Sequence, residues 1–364
     1  MGDSKSRAPI TVIAFYLPQF HPIPENDQWW GPGFTEWTNV AGASPLFRGH
    51  RQPHLPGQLG FYDLRLPETR EAQALLARTH GITAFCYWHY WFAGRQLLQR
   101  PLEEVVTSGT PDFPFCVGWA NQSWSGAWYG SPDLILCEQT YPGEEDDQAH
   151  FDYLRNAFED PRYLRVDDRP LLVVFRPTEL PDPSGFTRNW QAMARASGLP
   201  GLHLVAYVND MGWGPDYEHF RNDGFDAGIY VRFPFRHTLR TRLRGRLRDR
   251  FPRAGPMRHR SLVDIGEPPP GLDRPLYPCV YPNWDNTPRS RRRGWVIVDS
   301  SPELFRGHLR QALARAREGP AGKQLVWLRS WNEWAEGNYL EPDRDTGLDY
   351  LEVLRQELER LPRA

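Results

Sequence analysis

Several things are scarce or missing in this 364-residue sequence, and each absence removes a class of protein. Cysteine is limited to Cys86, Cys116, Cys137 and Cys279, with no C-x-x-C spacing, so neither a zinc site nor a disulfide framework is indicated and all four read as buried thiols. No stretch approaches the roughly 18 apolar residues of a transmembrane helix, and the opening MGDSKSRAPITVIAFYL lacks the run of about 7 to 15 apolar residues that a signal peptide needs. A cytoplasmic protein is therefore expected. Neither sign of charge dominates: 43 Lys and Arg stand against 45 Asp and Glu, which gives no general pull toward nucleic acid. No G-x-G-x-x-G or Walker motif follows the first apolar run, which weakens a nucleotide-binding doubly wound fold.

What is plentiful is aromatic: 15 Trp, 15 Tyr and 19 Phe, many of them beside polar residues where a core alone would not put them. Flat amphipathic rings suit the faces of sugars. Eight short runs rich in Val, Ile, Phe, Tyr and Leu are apolar enough to be strands buried on both faces, beginning at Thr11, Ile82, Pro114, Arg169, Leu202, Phe225, Leu276 and Gln324. Amphipathic stretches lie between several of them. Their start signals are Pro67-Glu68-Thr69, the acids from Glu144 to Asp147, and Ser301-Pro302-Glu303. Repeated β-then-α alternation with eight strands points to an α/β protein, a single (β/α)8 TIM barrel with long βα loops. The expected layout is an N-terminal tail, 1–9, and one barrel domain, 10–364. Two segments interrupt the repeat: a long Pro-, Gly- and Trp-rich loop, 22–66, of the kind that forms lids, and a basic insertion at about 236–272. Within the latter, Leu239, Leu243, Leu247 and Phe251 make an apolar stripe on a cationic helix. Peripheral contact of residues 236–260 with an anionic membrane or polymer, and a solvated helix packed on the barrel, both stay open.

A barrel places its active site at the C-terminal ends of its strands, and the eight runs all end in polar or aromatic residues. The last ends in WNEWAEG. Breaking a glycosidic bond needs one carboxylic acid for the leaving oxygen and a second carboxylate on the developing oxocarbenium ion, and Glu333 and Glu336 supply two. Trp331 and Trp334 beside them would raise a carboxyl pKa, and Asn332 adds an amide donor. The alternative is that both glutamates are exposed helix-start residues favoured by the dipole.

The segment SWNEWAEGNYLEP, Ser330 to Pro342, resembles the S-x-NEWxEGxxxEP signature of glycoside hydrolase family 99, the endo-α-mannosidase and endo-mannanase family. The opening IAFYLPQFHPIPENDQWWGPGFTEWTNV, with FCYWHYWF and WAN, is similar to the WbsX group of family-99-like proteins, over roughly residues 10 to 350. The resemblance implies that Glu336 is the general acid/base. It implies that Glu333 takes the proton of the substrate's 2-hydroxyl, which then closes a 1,2-anhydro sugar that water opens with retention. It also implies an α-manno or 6-deoxymannose (rhamnan-type) configuration. Ala335 departs from the His common at that position in the mannosidases.

Further residues are expected to contact substrate. They are Tyr16, Gln19 and His21 after the first strand; Glu36 and Trp37 in the GFTEW loop; Tyr87, His89 and Trp91 on the second strand; and Trp119 and Asn121 on the third. Arg176, Asn209, Tyr281, Trp284, Trp331, Asn332 and Glu341 complete the set. Glu341, Asp343 and Asp345 lack the spacing of a calcium loop, so no metal and no cofactor are expected. The leading expectation is a retaining endo-acting glycoside hydrolase acting on an oligo- or polysaccharide. A glycosyltransferase of surface-polysaccharide (O-antigen or capsule) assembly and a non-catalytic carbohydrate-binding barrel stand as alternatives.

Overall fold

The computed structural model describes residues 9–126, 131–210, 223–232, 255–258 and 274–362. Each of the eight apolar runs forms a strand: β1 Thr11–Tyr16, β2 Ala84–Phe92, β3 Phe115–Trp119, β4 Arg169–Val174, β5 His203–Asp210, β6 Ala227–Arg232, β7 Leu276–Val280 and β8 Leu325–Leu328. All eight neighbour pairings are parallel, and β8 pairs back onto β1, which in turn pairs with β2. The sheet is thus a closed (β/α)8 barrel with no free edge, which is why its strands need no polar face and read as continuous apolar runs.

Six long helices pack outside it: α1 Pro67–Thr79, α2 Arg100–Ser108, α3 Glu144–Glu159, α4 Pro183–Ala196, α5 Pro302–Glu318 and α6 Asp349–Glu359. Proline at the first turn of α1 and α5 and four acids in the first turn of α3 satisfy the helix N-terminus where the sequence signals place it. Ser301 and Asp182 cap α5 and α4 through side-chain oxygens that accept from Leu304 N and Gly185 N. Of the arginine-rich segment 236–260, only 255–258 lie within the described residues; there Gly255–Met257 pairs in parallel with Trp295–Ile297. No helix among the described residues is long and apolar enough to cross a membrane.

The barrel interior is filled by rings. Phe15 stacks on Trp88 with centroids 4.6 Å apart, Trp88 meets Phe175 at 5.2 Å, and Phe175 meets Tyr207 at 4.9 Å. Trp327 closes on Phe15 at 5.0 Å. These side chains fix which face of each strand looks inward. Gly118 makes room for the largest of them, because a β-carbon there would lie 3.0 Å from the Trp88 ring and 3.2 Å from Cys86 Sγ. Gly118→Ala is therefore expected to overpack the interior and cost about 1–3 kcal/mol. A denaturation midpoint equal to that of the wild type would contradict this packing.

Candidate active site

The chain leaving β8 makes a small antiparallel hairpin, Asn332–Glu333 against Asn338–Tyr339, around one tight turn at 334–336. Gly337 closes that turn at φ +64°, where a β-carbon would come within 2.5 Å of the Asp285 backbone nitrogen. Only glycine meets both conditions. The hairpin holds Glu333 and Glu336 against two buried arginines. Arg289 donates from Nη1 to Glu336 at 2.7 Å, with Glu333 3.6 Å from the same nitrogen, and from Nη2 to Glu36 at 2.6 Å. Arg329, the residue after β8, reaches Glu336 at 3.4 Å and Glu333 at 3.9 Å, and bonds the Tyr207 hydroxyl.

The surroundings of the two glutamates differ. Glu336 faces three N–H donors: Arg289, Arg329, and Asn338 Nδ2 at 3.3 Å. Burial works to raise its pKa, but the arginines outweigh burial and hold the carboxyl below its ordinary value. Glu333 accepts one short bond, from Ser330 Oγ at 3.0 Å. Burial first, and the charge of Glu336 second, push it up to about 7 against the pull of Arg329 and Arg289. Of the two, Glu333 is therefore the one that takes up a proton more readily near neutral pH.

Above the cluster opens a cavity of about 430 Å³, within the range of small-ligand sites at about 300–1,000 Å³. Its walls come from the C-terminal half of β2 and from the segments after β1, β3, β4, β7 and β8, so it is the C-terminal mouth of the barrel. Trp30, Trp88, Tyr90, Trp124, Trp284 and Trp295 supply flat surfaces, while Gln19, Arg176 and Asn286 supply polar groups. The Gln19 amide is buried at the wall, and its Nε2 has no partner among the described residues. Among the described residues no group of His, Cys, Asp and Glu is arranged to hold a metal ion.

Residues 12–354 match the family described as Glycosyltransferase WbsX. The chain belongs to the WbsX family. A protein of Xanthomonas campestris pv. campestris named "Uncharacterized protein WxcX" is 42% identical over 357 residues, covering 97% of this chain and 50% of that protein. The chain thus spans about half the length of the curated relatives it matches. Among solved structures, one titled "Glycoside hydrolase-like protein" superposes with a TM-score of 0.64 at 15% identity, covering 98% of this chain and 96% of the other. The GH99 endo-α-mannosidase of Bacteroides thetaiotaomicron superposes at 0.58 with 13% identity, covering 96% and 97%. These two share the barrel fold with the WbsX chain.

Of the residues expected from sequence to contact substrate, Gln19, Arg176, Trp284, Glu333 and Glu336 line this cavity. Others do not reach it. On β2 and after β3 the cavity is lined by the residues one position over from those expected. The inward stack of Phe15 on Trp88 puts Trp88 and Tyr90 at the mouth, so Tyr87, His89, Trp91 and Trp119 point outward to the helices. There His89 bonds His150 of α3 at 2.9 Å, Trp91 donates to Asp146 of α3, and Trp119 packs on Phe186 of α4. Burial lowers His89 to about 3, so it is neutral and structural. Asn121 clamps the Arg176 backbone, accepting from its N at 2.7 Å and donating to its O at 2.8 Å. Tyr16 points the same way as Tyr87, donating to Gln73 of α1 at 2.7 Å. His21 is buried away from the cavity with its pKa lowered to about 4 by burial.

The loop 22–66 contributes Trp30 to the cavity wall, and several of its polar groups are tied to the segment after β8 and the loop after β7. Glu36 is fully buried; besides Arg289 it accepts from Ala335 N at 3.0 Å. His50 and Gln52 hold Asp285 at 2.8 and 2.6 Å, and Asp285 N donates to the carbonyl of Glu336 at 2.8 Å. Tyr62 donates to Glu341, which also receives Gln73 Nε2 and Trp334 Nε1 at 2.6 Å each. Glu341 is thus a buried anchor, pushed up to about 7 by burial against those donors. Trp37 packs on Trp334 and donates to Tyr62 O at 2.9 Å. Trp331 fills the layer against Phe85, and Asn332 stitches the hairpin to β1 through both backbone groups of Leu17. Tyr281 is buried beside Trp284 and outside the cavity lining. The side chain of Asn209 lies outside the described residues.

Sequence reasoning missed Arg289 and Arg329. Arg329 directly precedes SWNEW and could have been flagged as a cation beside two acids; Arg289 sits in an arginine-rich run with no distinguishing mark. The cluster makes a sign-specific prediction. In carboxyl 13C spectra of glutamate-labelled protein, Glu333 should titrate near pH 7, and Glu336→Gln should move that midpoint down by removing a neighbouring negative charge. Because its folded midpoint lies above the ordinary 4.5, Glu333 contributes stability that is present below about pH 4.5 and lost as pH rises through about 7. Glu333→Gln should abolish that part of the fall. A Glu333 midpoint near 4.5 would show that the cluster is not as drawn.

Proposed function

We propose that this chain is a retaining endo-acting glycoside hydrolase that cleaves α-mannoside-like or 6-deoxymannose-like linkages within a polysaccharide. The observation that carries the proposal is the approach of Glu333 and Glu336 to one guanidinium nitrogen, at 3.6 and 2.7 Å, in the wall of an aromatic-lined cavity. An inverting pair stands about 6.5–9.5 Å apart to admit a water between carboxyl groups, whereas two carboxylates gathered on one nitrogen are closer than that range. Apolar walls and the unequal proton affinities of the two carboxyls favour one acid and one base near neutral pH. The rings offer stacking surfaces, and the free amide of Gln19 offers a donor to a sugar oxygen.

In this mechanism Glu336 protonates the departing glycosidic oxygen while Glu333 removes the proton of the substrate's own 2-hydroxyl. O2 attacks the anomeric carbon and the bond to the leaving oxygen breaks; water then attacks the same carbon of the 1,2-anhydro sugar, giving its proton to Glu336, while the carbon–O2 bond breaks and O2 takes back the proton held by Glu333. The cluster favours the proton on the other glutamate, since Arg289 and Arg329 hold the Glu336 carboxyl below its ordinary value while burial raises Glu333. The proposal therefore requires substrate to loosen the Arg289 bond to Glu336, with the proton passing to Glu336 as the 2-hydroxyl engages Glu333.

The second reading is transfer from an activated sugar, and the description of the WbsX family as a glycosyltransferase favours it. Incubation with defined mannan- and rhamnan-type oligosaccharides, with and without sugar nucleotides, separates the two. Chain shortening without nucleotide is the expected result, and extension that depends on nucleotide would replace hydrolysis by transfer. Each of Glu333→Gln and Glu336→Gln should lower turnover by about 100- to 10,000-fold. Only Glu336→Gln should be rescued by an acidic leaving group; rescue of Glu333→Gln instead would exchange the two roles. A glycosyl ester trapped on Glu333 would contradict participation by the 2-hydroxyl.

A further inference from the structure

Among the described residues three arginines line the cavity, and two of them, Arg289 and Arg329, are committed to glutamates. Arg176, just past β4, is different. Its backbone is fixed on both sides by Asn121, and its guanidinium lies over the Phe175 ring at 4.8 Å. Its Nε donates weakly to Gln122 Oε1 at 3.3 Å and stands 3.9 Å from Glu179, beyond hydrogen-bond range, in a half-exposed pair of the kind that contributes little. Neither Nη1 nor Nη2 has a partner among the described residues. A cation lining a sugar-sized cavity, held by stacking and a backbone clamp and with its two terminal amino groups unpaired among the described residues, has the fork geometry that receives two oxygens of one anion.

We infer that Arg176 makes this cavity selective for a sugar bearing an anionic substituent, a carboxylate or a phosphate ester. The inference rests on the carbohydrate reading above and adds the charge of the substrate. A neutral glycan would leave the two amino groups without a partner inside the complex, whereas an acidic one would satisfy both, each through a charge-assisted bond.

The test uses the full chain and three small probes: methyl α-mannoside, its 6-carboxylate (the mannosiduronate) and its 6-phosphate, titrated by tryptophan fluorescence. The two acidic probes are separate arms that tell a carboxylate site from a phosphate site. Either acidic probe should bind about tenfold or more tightly than the neutral one. Arg176→Gln should abolish that preference, bringing the acidic probes to the affinity of the neutral one. Arg188→Gln, which removes an equal charge from an exposed position on α4, should keep the preference. Equal affinity for all three probes, or a preference that survives Arg176→Gln, overturns the inference while leaving a carbohydrate site in place. Failure of every probe to bind overturns the inference and the carbohydrate reading together.

Discussion

A guanidinium enclosed by three carboxylates is the constraint on which the active end of this barrel depends. Arg289 is almost wholly withdrawn from water, and so is Glu36. Charges of this kind are stable in a protein interior only when their partners are in place, and removing one partner from a buried pair typically costs about 3–5 kcal/mol. The partners come from three distant stretches: Glu36 from the loop after β1, Arg289 from the loop after β7, and Glu333 and Glu336 from the hairpin after β8. The charge balance of one cluster thus fixes how three loops sit on the barrel.

That constraint explains why the two glutamates differ although they lie three residues apart in one hairpin. Glu336 takes the short arginine contact and the Asn338 amide, whereas Glu333 takes a hydroxyl. Glu36 shares Arg289 with the two hairpin glutamates, and Ala335 N ties the backbone between them to the same carboxylate. Asp285, Glu341 and Asn332 hold the hairpin from other sides through His50, Gln52, Tyr62 and Leu17. A site built on so many fixed partners holds both carboxylates in place, the preorganisation on which electrostatic catalysis would draw.

The eight strands, their order in the chain and the position of the glutamates were legible because a closed parallel barrel demands doubly buried apolar runs whose tails converge on one face. Side-chain direction was not legible. Every residue of β2 is buried, inward or outward, so AFCYWHYWF carries no polar alternation to say which set faces the interior. The choice is made by Phe15 and Gly118, which admit Trp88, and that is a tertiary contact with no local signature. The partners of the long loop were not legible for a related reason: Glu36, His50 and Tyr62 find buried partners more than 200 residues away in sequence.

The central claim is that Glu333 and Glu336 act together on one glycosidic bond from closely spaced positions, and the stereochemistry of the reaction tests it most directly. Proton NMR of the anomeric region, recorded in the first minutes of cleavage before mutarotation, reports which anomer is formed first. Retention of the α configuration is the predicted result. First formation of the β anomer would mean that a water attacks from the far side of the sugar between well-separated carboxylates, and would contradict the account.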